Sequence, residues 1–365
     1  MTDFTLERIA IPAHLDDPDG ADFIATDFTA TVEVRNATEA DGYGTEELSA
    51  TAAELLPLWH DQEYEPKQLF AARLNGRIVA RAIFETRPAA EGNTAWVDVQ
   101  VHPQFRRRGV GTALADQLET LATEDHRTNL VVYAVSKAAT GERLRSPTGF
   151  GSISAANAEM RFLLDRGFRL EQVNRASRLA LPLAADIVDG LVEQSQQRAG
   201  PDYRLHQWSG RTPHRWLDDM ALLFTRMSTD APKADLDVPE DVWTRQRLIE
   251  YKDRAETGPK TSVVSVVEHR PTARLAGVTE LGVPAELDRP VSQNDTIVLK
   301  EHRGHRLGML LKAANIRSLQ STAPGHPSII TFNAEENQHM LEVNEAVGFS
   351  AIGYEGAWKK ILAPS

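Results

Sequence analysis

Cysteine is absent from the chain. Disulfides, thiolate metal sites and cysteine nucleophiles are therefore excluded, and stability rests on packing and polar contacts. No apolar run approaches the roughly 20 residues that a helix needs to span a bilayer. The start, Met1-Thr2-Asp3-Phe4, lacks the basic and then apolar segments of a secretory leader, so a cytoplasmic location is expected. Basic residues are in deficit: 40 Lys and Arg against 52 Asp and Glu leave a net charge of −12. A surface of that sign does not neutralise nucleic-acid phosphates, and neither a nucleic-acid nor a membrane partner is expected. It favours cationic small molecules instead. No His-Glu-x-x-His pattern occurs. His302 and His305 are three apart but lie in a turn read below as phosphate-binding, so no metal is expected.

What is present is ordinary globular material, 41% hydrophobic and 25% charged, in a 365-residue chain long enough for two domains. Its most informative stretch is Val99-Gln100-Val101-His102-Pro103-Gln104-Phe105-Arg106-Arg107-Arg108-Gly109-Val110-Gly111-Thr112. An alternating strand pattern, Ala95–Val101, stops at a proline. Arginines and two glycines follow, then a helical pattern from Ala113 to about Glu124. Glycines without Cβ let backbone N–H groups approach a ligand closely. A helix start adds unpaired donors and partial positive charge. Such a turn suits a diphosphate.

Around it, the chain reads in order as an early strand at Thr31–Arg35 and a helix from about Glu46 to His60. A polar turn at Asp16–Gly20 precedes them. Gln68–Leu74 and Arg77–Thr86 are strands joined by Asn75-Gly76, a strong hairpin signal. Asn129–Val135 is a buried strand, Thr140–Ser154 an inserted loop, and Ala155–Asp165 a helix capped by Gly167. A strand falls within Phe168–Leu181. The second half repeats this order. Helices at Thr212–Met227 and Glu240–Glu256 precede strands at Thr261–His269, Ala273–Leu281 and Asn294–Lys300. Another turn, Glu301 to Met309, opens a helix at Leu310–Gln320. A strand at Ser328–Asn333, a helix at Glu336–Ala346 and a strand at Tyr354–Ile361 complete it. Laying Arg303 on Arg106 puts Val298 on Val101, Gly308 on Gly111 and Arg306 on Gly109, and Gly348-Phe349 matches Gly167-Phe168. A repeat this long points to duplication. The expected division is 1–183, a linker at 184–203 with a helix over Ile187–Gln197, and 204–365.

Arg-x-x-Gly-x-Gly after a strand ending Val-x-Val-x-Pro resembles the acetyl-CoA signature of the GCN5-related N-acetyltransferases (GNAT). It matches neither the P-loop nor the dinucleotide motif. Segments of the second half, His302–Gly308 and Thr331–Asn337, also resemble tandem members of that family from actinobacteria. The resemblance implies an α+β (mixed α/β) fold of two tandem GNAT domains, each a splayed, mostly antiparallel sheet flanked by helices. It implies an acyltransferase that uses acetyl-CoA, or another short acyl-CoA, as cosubstrate. The acceptor would be a small cationic amine that attacks the thioester directly. A protein or peptide amine acetyltransferase and a non-catalytic acyl-CoA sensor are the competing readings, and a homodimer is among the assemblies expected.

The resemblance also implies site residues. Val99, Gln100 and Val101 would pair with the pantetheine arm, and Arg107, Arg108, Gly109, Val110, Gly111 and Thr112 would hold the diphosphate. In the second half Thr296, Ile297 and Val298 take the first role, and Gly304, His305, Arg306, Leu307, Gly308 and Met309 the second. Asn337 stands eleven residues before Gly348, where relatives place a CoA-contacting asparagine; Asn157 in the first half is off by one. The tyrosine that often serves as general acid is replaced by Leu163 and Asn344. Tyr354 and Tyr133 are the alternative acids. Glu85 and Glu280, near the ends of their strands, are the expected bases, with Asp98 and Asp295 behind them. Because Glu280, Asn333 and Asn337 gather around one expected pocket, the second half is the expected site of acetyl transfer. The first half is then its competitor as a cofactor binder.

Overall fold

The computed structural model describes residues 4–15, 23–88 and 92–363. The turn expected at Asp16–Gly20 lies outside the described residues. The first half runs β1 (Phe4–Ile9), α1 (Phe23–Tyr43), α2 (Ala52–Trp59), β2 (Lys67–Leu74), β3 (Arg77–Thr86), β4 (Thr94–Val101), α3 (Val110–Glu124) and β5 (Asn129–Ser136). A short hairpin, β6 (Arg143–Arg145) and β7 (Ser152–Ser154), precedes α4 (Ala158–Asp165) and β8 (Arg169–Ala180). A connecting helix α5 (Ala185–Ala199) follows. The second half repeats the plan with β9 (Tyr203–Ser209), α6 (Leu217–Asp230), α7 (Arg245–Ala255), β10 (Thr261–His269), β11 (Arg274–Val283) and β12 (Val291–Val298). It ends with α8 (Leu307–Thr322), β13 (Ser328–Ala334), α9 (Gln338–Val347) and β14 (Ser350–Ile361).

Thr31–Arg35 is a correction: it lies inside α1, not in a strand. Its β-branched residues suggest a strand, but Ala25, Phe28, Thr31 and Val32 fall on one helical face and are buried. Phe28 meets Trp59 of α2 edge-on, with centroids 6.2 Å apart. Packing overrides propensity here. The second helix starts at Ala52 rather than Glu46 because Thr51 and Glu54 form a capping box. The expected loop at Thr140–Ser154 contains the β6–β7 hairpin.

Twelve of the described strands form one sheet, ordered β1-β2-β3-β4-β5-β14-β8-β13-β12-β11-β10-β9. The order reveals an exchange. β14, the last strand of the chain, pairs with β5 of the first half. β8, which closes the first half in sequence, pairs with β13 of the second. The two exchanged strands pair with each other in the middle. The cores follow the exchange: Trp358 is buried with Phe168 and Leu130, and Leu179 is buried with Val263 and Phe349. Gly348 follows Gly167 by 181 positions, and Glu355 follows Asn174 by the same 181. Those two repeat-equivalent residues face each other across β14 and β8, and Asn174 Nδ2 donates to Glu355 Oε1 at 3.1 Å. The pseudo-two-fold axis of the chain therefore passes between them.

Candidate active site

In the first half β4 and β5 pair in parallel only from Thr94 to Trp96 against Asn129 to Val131. Beyond that the strands diverge and open a cleft of about 440 Å³. Val97–Val101 form one wall and Val132–Val135 the other, with Ala115 and Leu118 of α3 and Phe162 and Leu163 of α4 lining it as well. Pairing between β12 and β13 is equally brief, at Val291 and Ser292.

The turn before α3 stands at one end of this cleft. Arg107 (φ 63°) and Gly109 (φ 82°) both take left-handed backbone. In the second half Gly304 (φ 88°) and Arg306 (φ 57°) do so. Glycine and arginine have traded places at two equivalent positions, so the same bend survives in both halves. Each helix then begins immediately, α3 at Val110 and α8 at Leu307, with its first N–H groups unpaired. A Cβ added at Gly109 would meet nothing within 4 Å, so the space before the helix is open.

The arginines of the turn divide in role. Arg106 Nε donates to the Val101 carbonyl at 3.3 Å, and its guanidinium pairs with Asp41 at 2.8 Å and Glu159 at 2.9 Å. Arg303 repeats this with the Val298 carbonyl at 3.1 Å and Asp230 at 2.9 Å. Both fasten the turn to the strand end and to the helix before it. Arg108 stacks over the Phe105 ring at 5.5 Å and does not line the cleft. Arg107 lines it, with Val99, Gln100, Val101, Gly109, Val110, Gly111 and Thr112.

The other end of the cleft is acidic. Glu39, Asp98 and Glu355 all line it. Gln100 Nε2 donates to Glu39 at 3.2 Å, and the Tyr43 hydroxyl donates to Glu355 at 3.3 Å. Burial raises the Glu39 carboxyl, and the Asp98 charge raises it further while Arg35 opposes. Burial also raises Asp98. Glu355 is pushed up to about 7, first by burial and then by Glu39 and Asp98, against the bonds from Asn174 and Tyr43. Arg81, buried behind this end, is lowered to about 10 by burial. Arg35 and Arg81 do not line the cleft.

Several expected residues stand elsewhere. Glu85 pairs with Arg87 at 2.7 Å and Lys67 at 3.5 Å, outside the cleft. Tyr354 is packed against the first-half core, while its neighbour Glu355 faces the cleft. Tyr133 lines the cleft, with its hydroxyl raised to about 12 by burial. Glu280 is buried, receives Lys252 Nζ at 2.6 and 2.7 Å and accepts from Ser262 at 2.9 Å. Its two oxygens are thus taken up by Lys252 and Ser262 within the fold. Replacing Glu280 with Gln is expected to cost about 2 kcal/mol, because Lys252 loses its charged partner in a buried setting; urea unfolding reads this.

Asn157 and Asn337 are both helix N-caps, accepting from Met160 N at 3.1 Å and Met340 N at 3.4 Å. Asn344 Nδ2 donates to Asn333 Oδ1 at 2.7 Å. Thr296 is bonded to Thr279 at 2.8 Å, and Ile297 and Met309 are buried in the second-half cores. Leu307 is also buried, and Val298 packs against the same cluster. His305 stacks on Tyr203 with centroids 5.1 Å apart. Among the described residues no group of His, Asp and Glu side chains could hold a metal ion, and no helix is long and apolar enough to cross a membrane.

Sequence reasoning missed Glu39 and Glu355. Glu39 lies in α1, between the strand expected at Thr31–Arg35 and the helix expected from Glu46. Glu355 had one available signal, its repeat relation to Asn174, but only the exchanged pairing brings it into this cleft.

Residues 33–141 match the model of the acetyltransferase (GNAT) family. A mycothiol acetyltransferase from Rothia mucilaginosa (strain DY-18) is 30% identical over 176 residues, 48% of this chain and 45% of that protein. The chain thus matches less than half the length of this curated relative. Among solved structures, a tandem GNAT protein from the clavulanic acid biosynthesis pathway superposes with a TM-score of 0.71 at 21% identity, over all of both chains. A GCN5-related N-acetyltransferase from Sphaerobacter thermophilus gives 0.60 at 14% identity, over 99% of this chain and 96% of that one.

Proposed function

From the GNAT match over residues 33–141 and the fold shared with a tandem GNAT protein, we propose that the first-half cleft transfers an acetyl group from acetyl-CoA to the amine of a small cationic molecule. The observation that carries this reading is one cleft lined both by the turn that opens α3 and by the acidic residues Glu39, Asp98 and Glu355. The residues present fit the cosubstrate. The α3 N–H groups and Arg107 suit its diphosphate, and the unpaired edge of β4 from Val97 to Val101 suits an extended arm with amide groups. Bound there, acetyl-CoA supplies an activated acetyl thioester.

The chain's own groups supply the rest. Arg35 and Arg81 offset the charge of Glu39 and Asp98 only from outside the cleft. Carboxylates on the cleft wall support a cationic acceptor. A carboxylate with a raised pKa takes the proton that an ammonium must lose before its nitrogen attacks. Glu355 is the group we assign to this step. The thiolate leaves as such, and the Tyr133 hydroxyl, which keeps its proton, can donate it a hydrogen bond.

The pH profile tests the assignment. Glu355 acts as a base only when ionised, so kcat/KM is expected to rise with pH through about 7. The Glu355→Gln variant should lose that limb and about 100-fold or more in rate. A profile unchanged in the variant would remove Glu355 from the mechanism. A thiol-release assay over a panel of amines, mycothiol precursors among them, identifies the acceptor.

A further inference from the structure

The second half carries a buried cation that the acetyl-transfer reading does not use. Lys312 is 2% exposed, on the second turn of α8. It makes no hydrogen bond or ion pair with any described residue, and no charged side chain shifts it. An uncompensated ammonium in such a place is costly.

The repeat gives its place. Counting from Gly111 and Gly308, Lys312 is the equivalent of Ala115, which lines the first-half cleft. Its Nζ stands 5.7 Å from the ring of Phe349, the equivalent of Phe168, another lining residue of that cleft. Asn344 is the equivalent of Leu163, a third lining residue. Asn344 is 1% exposed, and its Oδ1 has no donor. Two apolar positions of the first-half cleft have thus become an ammonium with no hydrogen-bond partner and an amide whose Oδ1 has no donor, although its Nδ2 donates to Asn333. They lie behind a helix start whose left-handed turn is intact.

We propose that the second-half cleft is a binding site for a small carboxylate ligand, with Lys312 as its counter-charge and Asn344 Oδ1 accepting from a hydroxyl or N–H of the same molecule. The fold repeat carries this site, and it does not depend on acetyl transfer in the first half. A carboxylate supplies the charge-assisted bonds that Lys312 lacks. An acyl-CoA arm would offer only neutral amides at that depth. The site makes the second half a sensor or a platform beside the working cleft.

Malonate and malate are the probes. Calorimetry on the full chain, at constant ionic strength against chloride, should show saturable binding of both, with malate the tighter because its hydroxyl reaches Asn344. Lys312→Met keeps the length of the side chain and removes the charge, and should weaken malonate at least about tenfold. Binding should also weaken as pH rises through about 7, where burial places the lysine's titration. Asn344→Leu restores the first-half residue and should erase the preference for malate while keeping malonate. Should Lys312→Met fail to fold, the pH dependence and Asn344→Leu stand as the test. Absence of saturable binding, or equal binding by wild type and Lys312→Met, would overturn the proposal. Neither result touches the acetyl-transfer assay, so the two readings fail separately.

Discussion

Trp358→Ala is expected to lower stability by about 3–5 kcal/mol, read as a drop in the urea midpoint with an unchanged slope. Trp358 is fully buried, and it lies on the last strand of the chain. Its ring occupies the first-half core, beside Phe168 and Leu130. A Cβ placed on Gly356 would stand 2.5 Å from Trp358 Nε1 and 2.8 Å from Leu170 Cδ1, so the packing around it leaves no slack. The indole N–H has no acceptor. The loss is therefore one of packing and burial, with no hydrogen bond removed. Because β14 pairs on both sides, with β5 and with β8, the variant should loosen both halves together. Hydrogen exchange should speed up at Leu130–Val132 and at Val173–Ser177 in parallel. Independent unfolding of the halves, with only the second one weakened, would contradict the exchanged topology.

The second large effect concerns the turn. Gly111→Glu should reduce kcat/KM for acyl-CoA by at least about 100-fold, equivalent to about 2.7 kcal/mol. Gly111 lies outside the left-handed region, so its backbone accepts a side chain. A Cβ there meets Val101 Cγ2 at 3.3 Å, a contact that a small shift relieves. The new carboxylate then stands among the N–H groups that would hold the diphosphate and repels it. Circular dichroism and thermal unfolding check that the fold is kept. The matching Gly308→Glu tests the other half. A loss confined to Gly308→Glu would move acetyl transfer to the second half.

That second half was the expected site of transfer, and the geometry weighs against it for reasons that residue types alone do not express. Glu280 reads as a free strand-end carboxylate, but Lys252, 28 positions upstream, holds it. Asn337 reads as a ligand contact and is a helix cap. Asp98 and Asp295 were the weaker carboxylates. They occupy equivalent positions on β4 and β12, and Asp98 lines the first cleft. Burial, with Glu280 nearby, raises Asp295 to about 6. The turn fared differently. Arg306 stands where the first turn has Gly109, and it holds left-handed backbone there while Gly304 takes the other strained position.

The sequence by itself determined the duplicated order of elements, the hairpin at Asn75-Gly76 and the two turns that open α3 and α8. These are local signals: alternation, helical spacing, caps and glycines act over a few residues and are written where they operate. Only the tertiary structure decided which half each closing strand joins and which carboxylates share a cleft. The alternation along β8 and along β14 suits either sheet, since each strand only needs a partner edge and a buried face. The choice is made by side-chain packing between residues far apart in the chain, Trp358 with Leu130 and Leu179 with Val263. That choice brings Glu355 into a cleft built by residues more than 180 positions before it.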